Sequence, residues 1–188
     1  MTGVDLSQRM AHRANQNAPA GFRAQSGDLE QQNLFSVGHF DGIIFGQVLH
    51  HFPNPERVLK NCALWLQPQG WLVIVEPNGA NPVNKIGKTI GTFLRRFSRF
   101  EQSMGTVNEV HVTPWALKRR LRKAGFQHLR LELLSDHGAV IEDRTSIPLF
   151  LRLLMQVRDG MYVGSWRLLP RSLGATTLIA RAQVNGSS

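Results

Sequence analysis

The sequence predicts an α/β fold built on parallel strands, and three observations carry that expectation. Two short uninterrupted apolar runs, Ile43 to Phe45 and Trp71 to Val75, have the look of strands buried on both faces. The segment between them is long enough for a crossover helix and is punctuated as one. Asn54 can cap it, Pro55 takes the first helical position, and Val58, Leu59, Cys62, Ala63 and Leu66 recur on one face. Pro68 and Gly70 then stop it. Strand, crossover helix and strand make a parallel βαβ unit.

Bulk properties bound the rest. A chain of 188 residues with 42% hydrophobic content is long enough for one domain with a real core and too short for two ordinary ones, so a single domain over 1–188 is expected. The longest apolar runs are only a few residues, so no span is expected, and Met1 to Asp5 lacks the charged and apolar parts of a signal peptide. The expected location is the cytoplasm. The single cysteine, Cys62, cannot form an internal disulfide, and its place in the helical stripe makes it a small buried hydrophobe. A net charge of +9 favours anionic partners such as nucleic acid, acidic lipid or a phosphorylated substrate, and fits a solvated basic surface equally well.

Candidate site residues come from the strand ends. Thr2 to Asp5 reads as a very short strand ending in a carboxylate, followed by a helix that Ser7 can cap and that runs through Met10 and Ala14. An acid at the end of the second strand of a dinucleotide-type fold accepts hydrogen bonds from ribose hydroxyls, because two adjacent donors match one bidentate acceptor. Asp5 is placed for that, or else merely starts a turn. Gly21 to Ser26 continues as a strand with Gly27-Asp28 after it, where an Asx-type turn is the plain alternative. Parallel sheets bind ligands beyond the carboxyl ends of their strands, which brings Gly46, Gln47, His50 and His51 into view after the strand from Gly42. His50 or His51 has the pKa range of a general base, or packs under the loop. Adjacent histidines on an extended segment point in opposite directions and no third ligand follows at fixed spacing, so no metal site is expected.

The order of Phe40-Asp41, an apolar strand, Leu49-His50-His51-Phe52, a helix, Leu66-Gln67-Pro68-Gln69-Gly70 and a second strand ending in Glu76-Pro77 resembles class I methyltransferases that use S-adenosylmethionine. The resemblance covers most of the chain. It implies a Rossmann-like methyltransferase sheet, mostly parallel, with an antiparallel last strand over Thr176 to Val184. It also implies that Asp5 holds the adenosine ribose and Leu6 touches the adenine. Asp28 would lie by the adenine amino group, with the Leu29 amide offered to a ring nitrogen. Gln47 and His50 would sit where the cofactor's methyl group meets the acceptor. Gln69 departs from the family's usual glycine; if that position needs positive φ, it costs about 1 kcal/mol.

The remaining segments decorate this frame. Val83, Ile86, Ile90, Phe93, Leu94, Phe97 and Phe100 recur at helical spacing opposite Lys85, Lys88, Arg95, Arg96 and Arg99, a basic amphipathic insertion at about 83–110. Its helix at 83–100 suits an anionic membrane surface, a lipid-like or phosphorylated acceptor, or a lid docked on its own domain. Thr113-Pro114 opens a further helix that Gly125 ends. Its Lys118, Arg119, Arg120, Arg122 and Lys123 lack interleaved reading residues, so a solvated face is expected rather than nucleic-acid binding. A second insertion, about 137–172, includes the apolar stretch Ile147 to Val157, which suits a helix over the substrate side.

One part of the resembled pattern lies outside this sequence. No Gly-x-Gly occurs anywhere, and the first strand, glycine-rich turn and helix that precede Asp5 in the family are not matched. The expectation is therefore an N-terminally truncated sheet with two apolar strand edges unpaired: a fragment, a misplaced start, or a domain completed by a partner chain. The leading reading is methyl transfer from S-adenosylmethionine to a small, lipid-like or anionic acceptor. The second is a non-catalytic remnant or interaction module bound to a partner chain. A nicotinamide-dependent dehydrogenase shares the ribose acid but explains neither Leu49-His50-His51-Phe52 nor the last strand.

Overall fold

The computed structural model describes residues 1–85, 112–135 and 149–184. The chain opens with β1 (Thr2–Asp5), α1 (Gln8–Gln16) and β2 (Arg23–Ser26), with β1 and β2 paired in parallel as a sheet of two. Ser7 caps α1 as expected, its Oγ accepting from the Met10 amide at 3.4 Å. Then follow β3 (Phe40–Gly46), α2 (Pro55–Trp65) and β4 (Leu66–Pro77), the anticipated parallel βαβ unit. Asn54 caps α2 through its Oδ1, which accepts from the Arg57 amide at 3.1 Å.

Beyond Pro77 lie α3 (Pro114–Lys123), β5 (Phe126–Leu134), α4 (Leu149–Leu168), the short α5 (Arg171–Gly174) and β6 (Thr177–Val184). Strand β6 runs antiparallel to both β4 and β5, giving the order β3-β4-β6-β5 in a sheet of four. Reversal of β6 alone makes the rest of that sheet parallel, the expected pattern. Most of the basic amphipathic insertion, residues 86–111, lies outside the described residues, as do residues 136–148 of the second insertion.

Strands β1 and β3 belong to separate sheets, and each has one edge without a strand partner among the described residues. The two sheets are joined through the segment after β2 instead. The Glu30 carboxylate accepts from the Asn54 amide, the Leu29 carbonyl from Asn61 Nδ2, and the Gln32 carbonyl from Trp65 Nε1.

The core lies on one face of the larger sheet. Phe45, Leu72, Ile74, Leu178, Ala180 and Ala182 pack there against Val58, Leu59, Cys62 and Trp65 of α2 and Leu117 and Leu121 of α3. Strands buried on both faces were expected, and this is corrected. Ile44 on the opposite face is 75% exposed, and β4 alternates between buried and half-buried positions, because α2 and α3 cover the same side.

Gln69 adopts φ 65°, the left-handed conformation its place in the turn suggested. Replacing it with glycine removes the Cβ clash and keeps the backbone carbonyl that accepts from Gln183 Nε2. Gln69→Gly is expected to raise the unfolding free energy by up to about 1 kcal/mol in a denaturant titration. Cys62 is a buried hydrophobe as expected, and burial pushes its thiol from 9.0 up to about 12. The folded state thus holds the proton longer than the unfolded chain, so this site's contribution declines as pH rises from 9 toward 12. Denaturation at several pH values should show the wild-type advantage over Cys62→Ala shrinking across that window.

Candidate active site

The carboxyl ends of the parallel strands carry the candidate residues in two groups. In the first, Asp5 ends β1 and is exposed, with Oδ1 accepting from the Ser7 amide at 2.7 Å. One carboxylate oxygen therefore organises the turn into α1, and the other has no partner among the described residues. Leu6 beside it is 77% exposed. Asp28 sits just beyond the adjacent end of β2, where Gly27 N donates to the Asp5 carbonyl. Its Oδ1 accepts from the Glu30 amide at 2.9 Å, so the Asx turn is formed. The Leu29 side chain packs against the core, while its amide enters no hydrogen bond among the described residues.

The second group follows β3. Gln47 has φ 54°, a strained value for a residue other than glycine, and its amide donates to the Val75 carbonyl at 2.7 Å, extending the β3–β4 ladder by one step. The chain then tightens into a 3₁₀ turn over Leu49–His51. This corrects the view of the two histidines as pointing apart: the turn brings their ring centroids to 4.0 Å. Leu49 is fully buried, and its amide donates to Glu76 Oε1 at 2.6 Å. Glu76 Oε2 lies 2.5 Å from His50 Nδ1. Glu76 itself is 0% exposed, at the end of β4.

This pair has a definite chemical sense. An ionised carboxylate only accepts, so Nδ1 of His50 carries the hydrogen and Nε2 is left as the basic nitrogen. Sequence reasoning singled out His50 and overlooked Glu76. The available signal was a lone acid closing an apolar strand, since a buried carboxylate demands donors. No hydrogen bond or ion pair joins this group to Asp5 or Asp28 among the described residues, where no group of three or more His, Cys, Asp or Glu could hold a metal ion either.

Residues 1–74 match the family described as a methyltransferase domain. A ubiquinone biosynthesis O-methyltransferase of Bordetella avium is 27% identical over 135 residues, which is 68% of this chain and 53% of the relative. The chain spans about a third to a half of the length of the curated relatives it matches. Among solved structures, a SAM-dependent methyltransferase from Archaeoglobus fulgidus superposes with a TM-score of 0.62 at 17% identity, over 97% of this chain and 75% of that one. The complex between the Haloferax volcanii Trm112 methyltransferase activator and a methyltransferase gives 0.68 at 15%, over 100% and 72%. The fold is that of the class I S-adenosylmethionine-dependent methyltransferases.

In this methyltransferase fold the residues present suit the adenosine half of the cofactor. Asp5 has one carboxylate oxygen without a partner among the described residues, Leu6 an exposed apolar surface, and the Leu29 amide enters no hydrogen bond there, a set that would fit two ribose hydroxyls and an adenine edge. At Gly46 an added Cβ would meet nothing within 4 Å, so the end of β3 stands in open space. No Gly-x-Gly turn is present to approach the methionine half.

The Glu76 carboxylate is expected to support structure as well as chemistry. Glu76→Ala orphans the buried Leu49 amide and leaves a cavity, and should cost about 2–4 kcal/mol in denaturant unfolding. Glu76→Gln retains an acceptor for that amide and should cost clearly less. Equal losses would mean that the hydrogen bond to Leu49 contributes nothing.

Proposed function

We propose that this chain acts in methyl transfer from S-adenosylmethionine to an oxygen of a small, lipid-like or anionic acceptor. The observation that carries the reading is the His50–Glu76 pair at the carboxyl ends of adjacent parallel strands in a methyltransferase fold. Asp5, Leu6, Asp28 and Leu29 hold adenosine in this reading, and Gln47 faces the acceptor with His50. S-adenosylmethionine, when bound, would supply an electrophilic methyl group on a sulfonium. His50 Nε2 takes the proton from the acceptor hydroxyl, and Glu76 holds the ring in the required tautomer. Positioning and exclusion of water do the remainder.

A second reading is favoured by the division of the sheet. Among the described residues, strands β1 and β3 each present an unpaired edge, and β3 also carries Ile44 exposed on one face. Such edges accept a further strand from another polypeptide segment, so the chain would serve as a module completed by a partner.

Calorimetric titration of S-adenosylhomocysteine into the 188-residue chain distinguishes the two. Under the first reading it binds, and Asp5→Ala weakens binding at least about tenfold, or about 1.4 kcal/mol. A folded chain that binds nothing by itself refutes catalysis by this polypeptide alone and supports completion by a partner.

A further inference from the structure

At the carboxyl end of β5 lies a cavity of about 660 Å³ that no strand-end residue discussed above touches. Leu133, Leu134 and Ser135 line it from the strand, with Val163, Trp166 and Arg167 from α4 and Arg171 from α5. Its size is that of a small-molecule site. Among the described residues its lining carries two guanidinium groups, an indole, a hydroxyl and aliphatic side chains, and no carboxylate. Arg167 and Arg171 are exposed and form no ion pair among the described residues. Two guanidiniums without an ion pair among the described residues, beside leucine, valine and tryptophan in one open depression, match an organic anion whose charge sits at one end of an apolar body.

The register of the sheet relates this cavity to the His50–Glu76 pair. Glu76 pairs with Leu178, and Leu178 pairs with Leu133, so the cavity wall stands two strands from Glu76 at the same level. That separation is about 10 Å. The position of Arg171 is fixed from the same strand end. Asn78, which follows β4, donates through Nδ2 to the carbonyls of Ser172 and Ala175 at 3.1 and 2.8 Å, and Asn81 donates to Gly174 and Ala175 at 2.9 and 3.1 Å. Both asparagines are 0% exposed. Arg171 and the His50–Glu76 pair are thus both held from the end of β4.

We infer that this cavity binds the anionic end of an elongated apolar molecule, with Arg167 and Arg171 on its carboxylate or phosphate and Trp166, Val163 and Leu133 against its body. Resting on the methyl-transfer reading above, that molecule is the methyl acceptor, whose far end reaches the His50 ring. Arg167 and Arg171 then select among acceptors and take no part in the proton transfer.

The test uses the full chain and four probes below their micellar concentrations: decanoate, decyl phosphate, uncharged 1-decanol, and inorganic phosphate, which has the charge without the body. Calorimetry should show both anionic amphiphiles binding at least tenfold more tightly than decanol or phosphate. The Arg167→Gln/Arg171→Gln variant should lose that preference while its binding of decanol, its binding of S-adenosylhomocysteine and its thermal midpoint stay as in the wild type. A nitroxide at the far end of bound decanoate should broaden the His50 ring signals and spare those of His12 on α1. Equal affinity for decanoate and decanol, no binding of either, or an unchanged double variant overturns the anion site. Binding without broadening at His50 overturns its assignment to the acceptor. If the cofactor product fails to bind while the anion preference persists, the methyl-transfer reading fails and the anion site stands.

Discussion

The buried carboxylate of Glu76 is the constraint around which the functional end of the sheet is arranged. A charge with no solvent exposure is tolerated only when donors surround it, and here they are the Leu49 amide and the His50 ring. Satisfying it forces the chain after β3 to tighten into a 3₁₀ turn rather than continue extended, which buries Leu49 and fixes the histidine's tautomer. The segment immediately after β4 obeys the same rule with neutral groups. Asn78 Oδ1 accepts from the Ala80 amide and Asn81 Oδ1 from the Val83 amide, while their amide nitrogens reach carbonyls of α5 and the residue after it. A polar cluster with its members bonded in this way rigidifies rather than destabilises. The turn after β3 and the short helix α5 are therefore both tied to the end of β4.

What the sequence revealed, and what it hid, divides along the range of the forces involved. The βαβ unit, the caps at Ser7, Asn54 and Thr113 and the glycine stop at Gly125 were legible because periodicity, capping and turn chemistry act over a few residues, whereas the reversal of the final strand came only from the family resemblance. The positive φ of Gln69 was legible for the same reason. The exposure of Ile44 was not, since it depends on which side of the sheet the helices choose. Glu76 was read as the end of a strand, because its donors lie 26 and 27 residues away. The same holds for Asn78 and Asn81, whose partners come from more than ninety residues later in the chain. Of the candidate site, the residues on strand ends were identifiable and the buried group that orients them was not.

The division of the sheet changes how the two groups of site residues are held relative to each other. In a continuous sheet, neighbouring strand ends are registered by backbone ladders. Here the segment that carries Asp28 is tied to α2 by three side-chain hydrogen bonds and by the packing of Leu29, Leu34 and Phe35 on the core. At about 1 kcal/mol each, three such bonds are a modest tether, and the apolar contacts must supply the rest. The adenosine-side residues thus depend on a loop and one helix, whereas His50 and Glu76 are fixed by the sheet itself.

Charge is distributed in an equally uneven way, and its setting decides how much it does. On α3 the buried stripe of Leu117 and Leu121 turns Lys118, Arg119, Arg122 and Lys123 into water, where salt screens them within about 10 Å. Arg120 on the same helix is half-buried near Glu56, at 3.9 Å, with its Nε and Nη1 unbonded. Most of the excess positive charge of this helix is therefore a solvated face. Arg167 and Arg171 are exposed as well, and leucine, valine and tryptophan line the depression they share. A guanidinium next to low-dielectric material acts on an arriving anion more strongly than the same group on an open helix face, since less solvent intervenes.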